Sequence, residues 1–87
     1  MTKKQAIETL LDRYTKAGNA DAVSRLKKAK DFILNTNDVD FYWHNGSILF
    51  NYDCAYHKVY GGVWSWYDLI PQSEYLDAIY CGAEKLE

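Results

Sequence analysis

Cys54 and His57 are the side chains with the most obvious chemical potential, since a thiol and an imidazole lie three positions apart. Together with His44 and Cys81 they would form a Cys₂His₂ set of the kind that binds zinc. Zinc motifs normally consist of two closely spaced ligand pairs, whereas 36 residues separate His44 from Cys81. We therefore predict no metal ion and no other cofactor.

Nucleophilic catalysis is the second chemistry that Cys54 suggests, with His57 as the base and Asp53 or Asp68 orienting it. No glycine-rich loop follows that could stabilise an oxyanion, and a chain of 87 residues is small for a deep cleft. These absences favour a protein that is not an enzyme.

Aromatic residues are concentrated in one part of the chain. Ten of the fourteen lie between Phe41 and Tyr67, more than one face of a small sheet can bury. Exposed tyrosine and tryptophan framed by acidic residues are typical of a recognition patch. We therefore expect a protein-binding surface made of Asp40, Tyr42, Tyr56, Tyr60, Trp66 and Asp68. The alternative is that the last helix, or a second copy in a homodimer, covers these aromatic rings.

The charges are divided unevenly along the chain. Residues 1–30 have a net charge of +5 and residues 31–87 a net charge of −7. A basic stripe on a helix indicates nucleic-acid binding as an alternative function, and its candidate residues are Arg25, Lys27, Lys28 and Lys30. The acidic pI of about 5.6 makes nucleic acid the less favoured partner. The other explanation is that the two halves pack together and partly neutralise each other.

The basic side chains named above lie on the first predicted element, a helical hairpin over residues 2–34. Thr2 followed by Gln5 is a capping box, which marks a helix start. Gly18 predicts the end of the first helix and Asn19 the cap of the second. The first helix has an apolar stripe with helical spacing: Ile7, Leu10, Leu11 and Tyr14. The short connection makes the two helices fold back on each other.

Residues 38–67 have the period of two that predicts an antiparallel sheet. Asn45-Gly46 is the strongest sequence signal of a two-residue hairpin turn. That turn would pair Phe41 with Phe50, Trp43 with Ile48, and Val39 with Tyr52, all apolar and all on one face. A turn at Gly61-Gly62 would pair Tyr60 with Val63, Val59 with Trp64, and His57 with Trp66. If the two glycines form a bulge instead, residues 55–67 are one strand, so we expect three or four strands.

The chain is expected to leave the sheet over residues 68–71 and to end in a helix over residues 71–86. Pro71 or Ser73 would open that helix, with an inner stripe of Leu76, Ile79, Tyr80 and Ala83. The sequence thus predicts one α+β domain, in the order ααββ(ββ)α, with an N-terminal αα-hairpin, an antiparallel β-meander and a C-terminal helix.

The preferred functional hypothesis follows from the absence of catalytic motifs and from the aromatic excess. We expect a small non-enzymatic protein that binds a host or cognate protein directly, as a phage- or mobile-element-encoded inhibitor of a host enzyme or defence nuclease. The alternative is a nucleic-acid-binding or transcription-modulating module that uses the basic hairpin. Small-ligand or sugar binding by exposed aromatic rings is a third option. With no signal peptide and no apolar run of about 18 residues, a cytoplasmic location and no membrane contact are expected.

Overall fold

Two helices form the N-terminal hairpin. In the computed structural model, which describes residues 1–59 and 68–87, α1 spans Lys3–Lys16 and α2 spans Ala20–Asn35. The Thr2 hydroxyl accepts a hydrogen bond from the Gln5 backbone N–H at 3.1 Å, and the Gln5 side chain accepts one from the Thr2 N–H at 2.9 Å. The Asn19 side chain caps α2 by accepting from the Ala22 N–H. The predicted hairpin and both of its caps are confirmed.

An antiparallel sheet follows, with the strand order β4-β3-β2-β1-β5. Its strands are β1 Phe41–His44, β2 Ser47–Tyr52, β3 Ala55–Val59, β4 Asp68–Ile70 and β5 Glu84–Lys85. Strands β1 to β3 lie within the predicted antiparallel sheet, β4 lies outside its predicted bounds of 38–67, and the α+β class is confirmed. The short fifth strand is an addition that the sequence pattern does not show.

The first hairpin has the predicted register. Phe41 lies opposite Phe50 and Trp43 lies opposite Ile48. Asn45 and Gly46 have φ values of 49° and 76°, as a type I′ turn requires at both central residues. The predicted pair of Val39 with Tyr52 is wrong, because β1 begins only at Phe41 and Tyr52 pairs with Ala55 across a second tight turn.

The second half of the sheet differs from the prediction in which segment pairs with β3. His57 pairs with Leu69, so the predicted pairing of His57 with Trp66 is wrong. The chain was also expected to leave the sheet over residues 68–71, but Asp68–Ile70 forms a strand. The predicted turn at Gly61-Gly62, with its two remaining pairs, lies outside the described residues.

The C-terminal helix is shorter than predicted. Helix α3 spans Gln72–Tyr80 with Pro71 as its N-cap, and the expected helix over residues 81–86 is wrong. Gly82 ends the helical path at a φ of 88°, a left-handed conformation that suits glycine. The chain then pairs with β1, where the Leu86 N–H donates to the Phe41 carbonyl at 2.7 Å. Leu86 thereby enters the core.

The hairpin and α3 lie on opposite faces of the sheet. Side chains alternate along a strand, and Phe41, Ile48, Phe50 and Val59 point towards α1 and α2, forming one buried cluster with them. The Phe41 and Phe50 ring centroids are 4.9 Å apart. On the other face, Leu49 and Ala78 of α3 are buried. Among the described residues, no helix combines the length and apolar character needed to cross a membrane.

Candidate protein-binding surface

Three tyrosine rings meet where α3 crosses the sheet. Tyr75 of α3 lies between Tyr42 of β1 and Tyr56 of β3, with ring centroids 6.2 Å and 4.8 Å away. The Tyr42 contact is edge-to-face at 83°, a favoured arrangement of aromatic rings. The Gln72 side-chain amide donates to the Tyr56 hydroxyl at 3.1 Å, which fixes the start of α3 against β3.

The environment of Tyr75 keeps its hydroxyl neutral. Burial raises the pKa of Tyr75 above its ordinary value, and the nearby Tyr42, Asp40 and Tyr56 side chains raise the pKa further. The phenol therefore remains a hydrogen-bond donor at neutral pH and above. All three rings are half-buried, so each has an edge that a partner can contact.

The apolar surface continues from Tyr75 along the outer side of α3. With 3.6 residues per turn, Leu76 and Tyr80 are neighbours on the helix surface, about 100° and 140° around the helix from Tyr75, and both are turned away from the sheet. The Leu76 residue is 38% exposed and the Tyr80 residue is 83% exposed. We call Tyr42, Tyr56, Tyr75, Leu76 and Tyr80 the tyrosine surface.

This placement corrects the predicted inner stripe of α3. Leu76 and Tyr80 were expected to be buried, but Tyr75 and Ala78 face the sheet instead. Apolar residues occur on several sides of this nine-residue helix, so their spacing does not determine which side packs. The outward position of Leu76 and Tyr80 is what sequence reasoning missed.

The predicted protein-binding residues are partly brought together. Asp40 is exposed at the edge of the tyrosine surface, and its carboxylate lies 3.5 Å from the Lys85 ammonium. Tyr42 and Tyr56 converge on Tyr75, so α3 covers part of the sheet face, as the alternative explanation expected. Asp68 pairs with Lys58 through the backbone of β4. Tyr60 and Trp66 lie outside the described residues.

A groove lies along the opposite flank of α3, between this helix and the β1–β2 turn. Its volume is about 420 Å³. Leu49 and Ala78 provide an apolar floor, and polar side chains from α3 and the sheet surround them: His44, Ser47, Lys58, Ser73, Glu74 and Asp77. The Lys58 ammonium lies 3.5 Å from the Glu74 carboxylate across this groove.

The candidate thiol and imidazole groups have separate environments. Cys54 is exposed in the β2–β3 turn, whereas His57 is buried and stacks on Phe50 with centroids 5.0 Å apart. The His57 Nε2 atom lies 3.3 Å from the Tyr52 carbonyl oxygen. Within residues 1–59 and 68–87, no three His, Cys, Asp or Glu side chains are grouped so as to hold a metal ion.

The basic stripe of α2 is less continuous than the sequence suggests. Its predicted nucleic-acid-binding residues are Arg25, Lys27, Lys28 and Lys30. Lys27 and Lys28 are exposed, but Arg25 and Lys30 are half-buried and lie about 140° apart around the helix. The exposed Asp21 and Asp31 occupy the same outer face as the two exposed lysines. The positive charge of this face is therefore interrupted by carboxylates.

No family model, curated protein or solved structure matches this chain. Two features of α3 are open to a partner, namely the tyrosine surface and the polar groove.

Proposed function

We propose that this protein acts without catalysis, by direct contact with another protein through the tyrosine surface. The observation that carries the proposal is the outward position of Leu76 and Tyr80 beside the half-buried Tyr75. A ring that is 83% exposed contributes little to folding, because burial of apolar area provides the stabilisation. The same ring is well suited to an interface, where tyrosine is enriched among the residues that dominate binding.

The net charge of the C-terminal segment indicates the chemistry of the partner. Residues 68–87, which contain α3, have five acidic residues and one lysine, and Asp40 lies near Tyr75 with its carboxylate 3.5 Å from the Lys85 ammonium. The net negative charge of this segment steers association towards a basic protein surface. The basic groove of a nucleic-acid-processing enzyme is such a surface. We propose that the partner is a host enzyme or defence nuclease of this kind, inhibited in the cytoplasm by a protein of phage or mobile-element origin.

The dimensions of the molecule are compatible with this role. A standard interface buries about 800 Å² on each partner, which is roughly 15% of the 5302 Å² accessible surface of this chain. Helix α3 is held on the sheet by the contacts of Tyr75 with Tyr42 and Tyr56 and by the buried Ala78. A binding surface that is already ordered loses less conformational entropy on binding.

The proposal is tested by affinity capture followed by a matched pair of leucine variants. A partner captured with the wild-type protein is purified. The dissociation constant of its complex is then measured with the wild type and with each of three variants, Leu76→Ala, Tyr80→Ala and Leu34→Ala. Leu34 is the control because it is an exposed helical leucine of nearly equal exposure, at 36% against 38% for Leu76, but it lies on α2. Circular dichroism verifies that each variant is folded.

The two α3 variants are expected to weaken binding substantially. Truncation of a dominant interface residue costs about 2 kcal/mol or more, which is roughly a 30-fold increase in the dissociation constant. Leu34→Ala should bind like the wild type. Equal affinity of all three folded variants would show that the tyrosine surface is not the binding surface.

The nucleic-acid alternative receives support only from Lys27 and Lys28, which are exposed on α2. It predicts binding that weakens steeply with salt, because each neutralised phosphate releases counterions. Charge reversal at both lysines should then abolish a gel shift at low salt. If the wild-type protein shifts neither DNA nor RNA under these conditions, the alternative is rejected.

A further inference from the structure

The groove on the far flank of α3 contains polar groups that the fold does not use. Ser47 lies on β2 directly opposite His44, and the Ser47 residue is only 6% exposed. Its hydroxyl takes part in none of the hydrogen bonds found among the described residues, and Ser47 lines the groove. A serine hydroxyl both donates and accepts, so a ligand in the groove can bond to it.

The rim of the groove supplies an uncommitted negative charge. The Glu74 carboxylate is compensated by the Lys58 ammonium at 3.5 Å. Asp77 lines the same groove, and over residues 1–59 and 68–87 it forms no ion pair. The charges of Lys58, Glu74 and Asp77 therefore sum to a net negative charge, which is centred on Asp77.

We propose that this groove receives one arginine side chain of the bound protein. The aliphatic stem would pack on Leu49 and Ala78, and the guanidinium would donate to the Asp77 carboxylate and the Ser47 hydroxyl. Arginine presents five donors in a planar fork, which suits a carboxylate beside a second acceptor. This inference rests on the proposed function and adds to it the chemistry of one anchor residue.

The interaction is tested without the partner by using a small arginine derivative. The probe is N-acetyl-arginine methylamide, and its control is N-acetyl-citrulline methylamide, which has nearly the same shape but no charge. Amide chemical shifts of the ¹⁵N-labelled protein are followed during titration with each probe. The groove is expected to bind the arginine probe with a dissociation constant on the order of 1 mM. The largest shifts should occur at Ser47, Leu49 and Ala78.

Three variants test whether Asp77 and Ser47 bind the probe. Asp77→Asn should weaken binding of the arginine probe about tenfold, because it removes a charge-assisted hydrogen bond. Asp31→Asn is the matched control, since Asp31 is also an exposed helical carboxylate but lies on α2. Ser47→Ala should weaken binding by a smaller factor, with the fold verified from the dispersion of the same spectra.

The inference is overturned if citrulline shifts the same amides equally, if Asp31→Asn weakens binding as much as Asp77→Asn, or if inorganic phosphate rather than arginine produces the shifts. These results would leave the proposed function intact, because that function is tested by Leu76→Ala and Tyr80→Ala against the captured protein. Conversely, if Leu76→Ala and Tyr80→Ala retain full affinity for the captured protein, the proposed function is refuted even when the arginine probe binds as expected.

Discussion

The β2–β3 turn allows a direct test of the fold, because its two central residues have left-handed conformations without glycine. Asp53 and Cys54 have φ values of 52° and 61°. The equivalent positions of the β1–β2 turn are Asn45 and Gly46, a favoured pair for this turn type. Replacing Cys54 with glycine would give the second turn the Asp-Gly sequence that type I′ turns prefer. We therefore predict that Cys54→Gly stabilises the protein.

The magnitude follows from two opposing contributions. An L-residue in the left-handed region costs about 1–2 kcal/mol, and this cost is removed by glycine. Glycine loses about 0.5–1 kcal/mol more conformational entropy on folding. The net stabilisation is about 0.5–1 kcal/mol, which for a domain of this size raises the melting temperature by about 2–8 °C.

Cys81→Gly is the matched control, because Cys81 is the other exposed free cysteine but has a φ of −87° at the end of α3. Glycine relieves no strain there, so this variant should be destabilised by about 0.5–1 kcal/mol. Both variants lose a thiol, and the difference between them therefore reports backbone conformation. Thermal unfolding followed by circular dichroism measures it. A Cys54→Gly variant no more stable than Cys81→Gly would refute the turn assignment.

Three further predictions concern the core, the C-terminal strand and Tyr75. Phe50→Ala should lower the free energy of unfolding in urea by about 3–5 kcal/mol, because the ring is fully buried; a loss below 1 kcal/mol would contradict the described core. Leu86→Ala should cost about 2–4 kcal/mol if β5 carries Leu86 into the core, whereas a frayed C-terminus would show almost no change. The pKa of Tyr75 is raised in the folded state, whereas in the unfolded chain it is about 10. The contribution of Tyr75 to stability is therefore fully present below a pH of about 10 and is lost as the pH rises through the folded-state pKa. The stability of the wild type should therefore fall more steeply above pH of about 10 than that of Tyr75→Phe, and parallel curves would show that Tyr75 is not buried against the sheet.

The first hairpin could be predicted in detail because local chemistry determines it. Asn45-Gly46 favours positive φ at both positions, and a two-residue loop leaves only one register that places Trp43 opposite Ile48 on an apolar face. The helical hairpin is similar, since Thr2 and Asn19 determine where its helices begin. In both cases the decisive residues lie within a few positions of one another.

The candidate site could be predicted only in part because it depends on contacts between distant segments. Asp40, Tyr42 and Tyr56 were identified from composition, but Tyr75 joins them only because α3 crosses the far face of the sheet. The rotation of α3 that exposes Leu76 and Tyr80 depends on how Tyr75 and Ala78 fit that face. Strand β5 has no pattern of its own, since its two residues are ordered by pairing with Tyr42 and Trp43.

The most direct measurement of the central claim is photo-crosslinking from single positions. A benzophenone amino acid replaces Tyr80 in one variant and Leu34 in a second, and each folded protein is irradiated with the captured partner. Binding through the tyrosine surface predicts a covalent adduct from position 80 and none from position 34. An adduct from position 34 alone, or from neither position in a complex that still forms, would contradict binding through the tyrosine surface.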